Sequence, residues 1–279
     1  MTRFLTFFVL FLFTSTAAAG EAPSRIISIG GALTETIYAL GGGTELVGSD
    51  TTSYYPEAAA KLPKVGYMRA LSAEGVLSLN PDLVILSEES GPPPVLAQLE
   101  AAGLTLLKLK AGRDLADVTS NIEAIGKALH REAAAGELVE KMAAEKQALD
   151  EKIAAGGAKK RIMFIFQHQG GTPLVAGAHT AADSVIHLAG AENAVSGYDG
   201  YKPLSPEAAV TFAPDIILVT SQGLEGAGGS ASLLEVPGVA LTPAGKDRKF
   251  IVMDTLLLLG FGPRIVEAAT ELHDKADAL

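Results

Sequence analysis

No cysteine and no tryptophan occur among the 279 residues. Without thiols there is no disulfide framework, cysteine-based zinc site, iron–sulfur cluster, thiol nucleophile or lipid anchor on an N-terminal cysteine. Cations are scarce too: 22 Lys and Arg stand against 32 Asp and Glu, a formal charge of −10. That balance excludes a general nucleic-acid binder, because a phosphate backbone calls for a basic face. Enzyme signatures are also missing, with no G-x-S-x-G elbow, no H-E-x-x-H and no G-x-x-x-x-G-K-[ST]. Glycine is plentiful at 30 residues. Its two rich stretches, Gly41–Gly43 and Gly223–Gly229, lack the strand and downstream acid of a dinucleotide site and read as turns.

The one long apolar run stands at the start. Arg3 supplies a basic n-region, Phe4–Phe13 an apolar stretch too short to cross a bilayer, and Ala17–Ala19 a small-residue cleavage site. Residues 1–19 therefore read as a signal peptide. No later segment offers 18 uninterrupted apolar residues, so the expectation is an exported, free periplasmic protein without membrane insertion. The 48% hydrophobic composition argues against disorder.

Beyond the leader, short apolar runs alternate with helix-like stretches. Strands are expected at Arg25–Ile29, Leu46–Gly48, Leu83–Leu86 and Thr105–Leu109, then at Arg161–Phe166, Ile216–Thr220 and Phe250–Met253. Amphipathic segments such as Leu33–Leu40 and Ser72–Leu79 lie between them. That alternation points to parallel α/β sheets. The two strand sets are separated by an Ala-, Glu- and Lys-rich stretch without proline. It reads as two helices, about 115–130 and about 131–154, with Leu138, Met142, Leu149 and Ile153 on one face. Gly156-Gly157 stops the second helix.

The halves also resemble each other. Leu71-Ser72-Ala73-Glu74 precedes a helix and then Pro81-Asp82 with an apolar strand; Leu204-Ser205-Pro206-Glu207 precedes a helix and then Pro214-Asp215 with another. Ser72 and Ser205 suit helix N-caps, and each Glu suits a first turn. Together these features predict two doubly wound α/β lobes joined by a long interdomain helix. The divisions are 20–130 for the N-terminal lobe, 131–156 for the helix and 157–279 for the C-terminal lobe. A ligand cleft belongs between the lobes, and a helical strut limits closure to a small hinge motion.

Among chemically capable residues, His179, Asp183 and His187 are spaced i, i+4, i+8. They read as a solvated polar face or as a metal site of a periplasmic hydrolase. Tyr67 sits on a connection at the strand-to-helix edge where doubly wound sheets bind ligands. Arg69 follows two residues on. A nearby guanidinium or a bound metal cation favours the anionic form of a phenol, which is a hard oxygen donor known as an axial ligand of haem iron. A phenol packed under a loop is the plainer reading of the same spacing.

The segment Lys64-Val65-Gly66-Tyr67-Met68-Arg69-Ala70-Leu71-Ser72-Ala73-Glu74-Gly75 closely resembles the haem-ligand segment of periplasmic haem-binding proteins of haem ABC importers. The resemblance extends over nearly all of the mature chain, including Ile27–Thr36, the strut, Leu174–Gly190 and Leu259–Arg264. It implies the class III periplasmic binding protein architecture and no catalysed reaction. It also implies haem as transported ligand, Tyr67 as axial iron ligand and Arg69 hydrogen-bonded to it. Glu74 and Glu207 resemble the glutamates that dock each lobe on an inner-membrane ABC permease and its ATPase, with the receptor a monomer. His168 follows the strand Arg161–Phe166 and is the candidate second iron contact. Tyr201 stands in the matching Gly-Tyr of the second lobe, but Lys202-Pro203 departs from Met68-Arg69, so only a cleft-lining role is expected of it. Arg264 and Lys202 are the candidates for holding propionates. Cobalamin and ferric-siderophore receptors share the family, and the absence of Trp clamps counts against them.

Overall fold

Runs of Ile, Val and Leu ending in glycine or a polar turn set the strands of the protein. The computed structural model describes residues 22–166, 173–225 and 229–279. In the first lobe β1 is Ile26–Ile29, β2 Leu46–Ser49, β3 Gly66–Tyr67, β4 Ala70–Leu71, β5 Leu83–Ser87 and β6 Thr105–Leu109. The sheet runs β2-β1-β5-β6, every neighbouring pair parallel. Strands β1 and β5 are buried along their whole length because helices cover both faces. Ile26 and Ile85 pack with Ile37 and Ile122 on one side; Ile27, Ile29, Val84 and Leu86 pack with Val76 and Leu99 on the other.

In the second lobe β7 is Arg161–Phe166, β8 Leu174–Ala176, β9 Glu192–Asn193, β10 Tyr201–Pro203, β11 Ile216–Thr220 and β12 Phe250–Met253. The order is β10-β8-β7-β11-β12, with β9 also pairing β7. Strands β7, β9, β11 and β12 are parallel, whereas β8 is antiparallel to β7 and β10 to β8. This antiparallel margin departs from the purely parallel expectation. The connection from Phe166 to Leu174 is too short for a crossover helix, and so short a link returns a chain antiparallel.

Helices Leu115–Ala128 and Glu132–Ala155 lie where the sequence predicts them. The second has 24 residues, about 36 Å at 1.5 Å per residue. Ala135, Met142 and Leu149, seven apart, are buried; Leu138 and Ile153 are partly buried against the same cluster. The two helices meet closely at Gly126, where an added Cβ would stand 2.5 Å from the Ala135 Cβ. At its far end the long helix is tied to the C-terminal helix Ile265–Asp277 by Lys152 and Asp274 at 2.8 Å.

The internal repeat extends to single hydrogen bonds. Ser72 caps Ala73–Leu77 by accepting from Gly75 N (3.1 Å), and Ser205 caps Pro206–Phe212 by accepting from Ala208 N (3.2 Å). Beyond each helix a left-handed residue, Asn80 or Ala213, precedes the proline. The Asp of each Pro-Asp then accepts the backbone N–H that opens the first strand of its sheet: Arg25 N to Asp82 and Arg161 N to Asp215.

Candidate functional site

Parallel strands bring their carboxyl ends to one edge, and the loops that leave that edge build the site. Loops after β1, β2, β5 and β6 line a cavity of about 860 Å³, closed from the other side by the second lobe.

After β2, the fully buried Asp50 accepts from Gly30 N (3.0 Å), Thr52 N (3.1 Å) and the Thr52 and Ser53 hydroxyls. That knot holds the loop carrying Tyr54. The chain then enters the β3–β4 hairpin, paired Gly66 with Leu71 and Tyr67 with Ala70, so Met68 and Arg69 form the turn. Gly66 has φ +113°, and a Cβ there would stand 2.8 Å from the Ala70 carbonyl oxygen. Only glycine fits both demands. The hairpin is pinned to the chain after β5 by Gly91 N to Met68 O (2.9 Å) and Leu71 N to Gly91 O (3.0 Å).

Tyr67 thereby projects into the cavity with 43% of its surface exposed. Arg69 Nη1 donates to Tyr67 Oη at 2.9 Å. Its Nη2 donates to Glu89, which follows β5; Arg113, which follows β6, donates to the other Glu89 oxygen at 2.5 Å. Burial pulls the Arg69 guanidinium down, but its bonds to Tyr67 and Glu89 outweigh that and hold it above its ordinary value. Lys110, also on the cavity wall, pairs with Asp117 at 3.2 Å.

The opposite wall comes from β10 and its surroundings. Tyr201 lines the same cavity, 6.0 Å from Phe166 between ring centroids. Gly200, like Gly66, precedes its Tyr with positive φ. Burial pushes the Tyr201 phenol up against the pull of Arg113. Leu174, Leu256, Leu259 and Phe261 add apolar surface.

At the base the lobes touch. Cβ atoms at Gly31 and Gly112 would stand 2.7 Å from Leu256 Cδ1 and 2.9 Å from Phe261 Cβ. Tyr54 Oη reaches Asp254 at 3.1 Å and accepts from Leu256 N at 2.8 Å, while Gln222 Nε2 donates to Asp254 at 2.7 Å. Burial pushes the Tyr54 phenol well up, and the Asp254 charge adds to it.

Several expectations need correction. Arg264 does not line the cavity: it forks onto Glu35 (Nε–Oε1 2.6 Å, Nη2–Oε2 2.9 Å) and lies 3.7 Å over the Tyr55 ring centroid. Its guanidinium is spent on joining the lobes. Lys202 is likewise away from the cavity, 4.6 Å over the Tyr198 ring. His179 precedes the helix Ala181–Leu188 with φ +60°, so it does not share a helical face with His187. Asp183 Oδ2 accepts His179 N, and Asp183 Oδ1 accepts Asn193 Nδ2. Among the described residues no three His, Asp or Glu converge for a metal. His168 lies outside the described residues.

Glu74 and Glu207 stand exposed in the first turns of their short helices, and neither makes an ion pair among the described residues. Lys110, Arg113 and Glu89 escaped the sequence reading. Their signal was present: Lys110-Ala111-Gly112-Arg113 and Glu88-Glu89 each follow an apolar strand at its carboxyl end, the position used to single out Tyr67.

The arrangement suits a sizeable, mostly apolar ligand. It offers a phenol oxygen flanked by a guanidinium for a hard metal centre, and two cations for carboxylates.

A family model described as "Periplasmic binding protein" matches residues 26–256. The solved structure of the periplasmic heme-binding protein BhuT in complex with two hemes is 45% identical, with a TM-score of 0.88, covering 92% of this chain and 99% of that one. An uncharacterized ABC transporter substrate-binding lipoprotein, YvrC of Bacillus subtilis (strain 168), is 30% identical over 91% of this chain and 80% of its own. The vitamin B12-binding protein of Vibrio campbellii (strain ATCC BAA-1116) is 25% identical over 82% of each chain.

Proposed function

The chain belongs to the periplasmic binding protein family, and on that premise we propose that it captures haem between its lobes and delivers it to an inner-membrane ABC permease. It is a substrate-binding transport protein, not an enzyme. The observation that carries the ligand is the Tyr67–Arg69 pair at 2.9 Å on the wall of a cavity shared by both lobes. A phenolate is a hard anionic donor suited to ferric iron, and a guanidinium beside it offsets its charge. Phe166, Leu256 and Met68 offer apolar surface for a porphyrin face. Arg113 and Lys110 supply the positive charge that two propionates require.

The exposed Glu74 and Glu207, one per lobe at matching places in the repeat, are the proposed contacts with basic residues of the permease. One acid on each lobe suits a dimeric partner with two equivalent docking points. The units follow the divisions 20–130, 131–156 and 157–279, after a leader of residues 1–19 directing the chain to the periplasm.

Hemin added to the purified protein tests the ligand. The expected visible spectrum is that of ferric, oxygen-ligated haem, lost in Tyr67→Ala; an unchanged spectrum in that variant would sink the iron-ligand assignment. The B12-binding relative keeps cobalamin as the second reading. A parallel titration with cyanocobalamin separates the two, saturable binding of that probe and not of hemin favouring the second.

A further inference from the structure

Glu89 is the bridge between the two arginines of the cleft. One of its oxygens accepts from Arg69 Nη2 and the other from Arg113 Nη2 at 2.5 Å. Its own backbone N–H donates to Ser87 Oγ at 3.3 Å, which sets the carboxylate at the end of β5. The guanidinium of Arg69 is planar. Holding its Nη2 on Glu89 therefore fixes the plane in which Nη1 points at Tyr67 Oη, 2.9 Å away. Without that anchor, Arg69 sits on a two-residue hairpin turn with half its side-chain surface exposed, free to swing away.

Charge leads to the same residue. Arg69 and Arg113 are two cations drawn onto a single carboxylate, leaving the cluster with one net positive charge. The Arg69–Glu89 pair is internally balanced and serves the phenol. The remaining positive charge is shared across the cluster, and it faces the cavity at Arg113, whose Nη1 also reaches the His179 carbonyl at 3.5 Å, where it can meet a ligand carboxylate.

We propose that Glu89 is a positioning residue: it divides the two arginines between tasks, orienting Arg69 onto the Tyr67 phenol and leaving the Arg113 charge for a carboxylate of the bound ligand. This rests on the reading of Tyr67 as iron ligand. It adds a third member, Glu89–Arg69–Tyr67, in which the carboxylate acts only through the arginine.

The test uses the whole protein with hemin as probe, comparing Glu89→Ala, Glu89→Gln and Tyr67→Ala. Visible spectrum, reduction potential and affinity are recorded for each complex, and a thermal melt of each variant verifies folding. Glu89→Ala is expected to shift the visible bands and the potential and to weaken hemin by about tenfold, the worth of one charge-assisted hydrogen bond. Glu89→Gln keeps an acceptor for Arg69 and is expected to restore the bands. Wild-type bands and potential in a folded Glu89→Ala protein overturn the positioning role. Tighter hemin binding in Glu89→Ala also overturns it, since Glu89 would then be a competitor for the arginines. If Tyr67→Ala keeps the wild-type spectrum, the iron-ligand reading itself fails, whatever Glu89 does.

Discussion

Arg264 and Glu35 clasp the two lobes through a two-pronged ion pair, Nε to Oε1 at 2.6 Å and Nη2 to Oε2 at 2.9 Å, with Glu35 only 5% exposed. Removing the arginine strands a buried carboxylate. Arg264→Ala is therefore expected to cost on the order of 2–4 kcal/mol, read as a lower denaturant midpoint. Arg264→Lys recovers only part, because an ammonium cannot match the fork. A midpoint equal to wild type in the alanine variant would show that the pair contributes nothing.

Tyr54 makes stability depend on alkaline pH. Burial raises its phenol above the ordinary value, which is about 10. A raised folded-state value means that the contribution is complete below the unfolded value and is lost as pH climbs above it. Tyr54→Phe removes the titrating hydroxyl with its bonds to Asp254 and Leu256. The variant should be less stable at neutral pH yet fall more gently above pH about 10 in a stability–pH series. Parallel curves would rule out this role.

Arg113 distinguishes ligands with free carboxylates from those without. Arg113→Ala is expected to weaken hemin by about tenfold or more while leaving the affinity for its dimethyl ester nearly unchanged. Equal losses for both probes would mean that Arg113 supports the wall and reads no carboxylate.

Docking and capture separate in the doubly substituted Glu74→Ala, Glu207→Ala protein. Both side chains are exposed and outside the cavity wall. Hemin titration should match wild type, whereas transfer to the permease in proteoliposomes should fall. Weakened hemin binding would place these residues in the ligand site; undiminished transfer would remove them from the docking face.

Much of the fold could be read from the chain because its signals are local. The buried parallel strands are continuous aliphatic runs, and Gly156 marks the end of the second connecting helix. The matching Ser caps and Pro-Asp turns reveal the repeat before any coordinate does. Features that depend on distant partners were not readable. Arg264 pairs with a residue 229 positions away, and nothing beside it in sequence says that it is taken. The β3–β4 hairpin has strands of two residues, too short for any periodicity. The antiparallel strands β8 and β10 have three each and carry no alternation to detect. The His179–Asp183–His187 spacing misled because the helix begins at Ala181, after the first of them.

One hydrophobic cluster runs from Ile26 and Ile85 in the first sheet through Ala135, Met142 and Leu149 of the long helix to Ile162, Phe164 and Leu218 in the second. Helices of each half cover most of its own sheet, and the long helix carries the apolar interior on from one half to the other. That continuity couples the halves, so a single cooperative melt is expected in calorimetry. Packing lost along Ala135, Met142 or Leu149 would then be felt on both walls of the cleft at once.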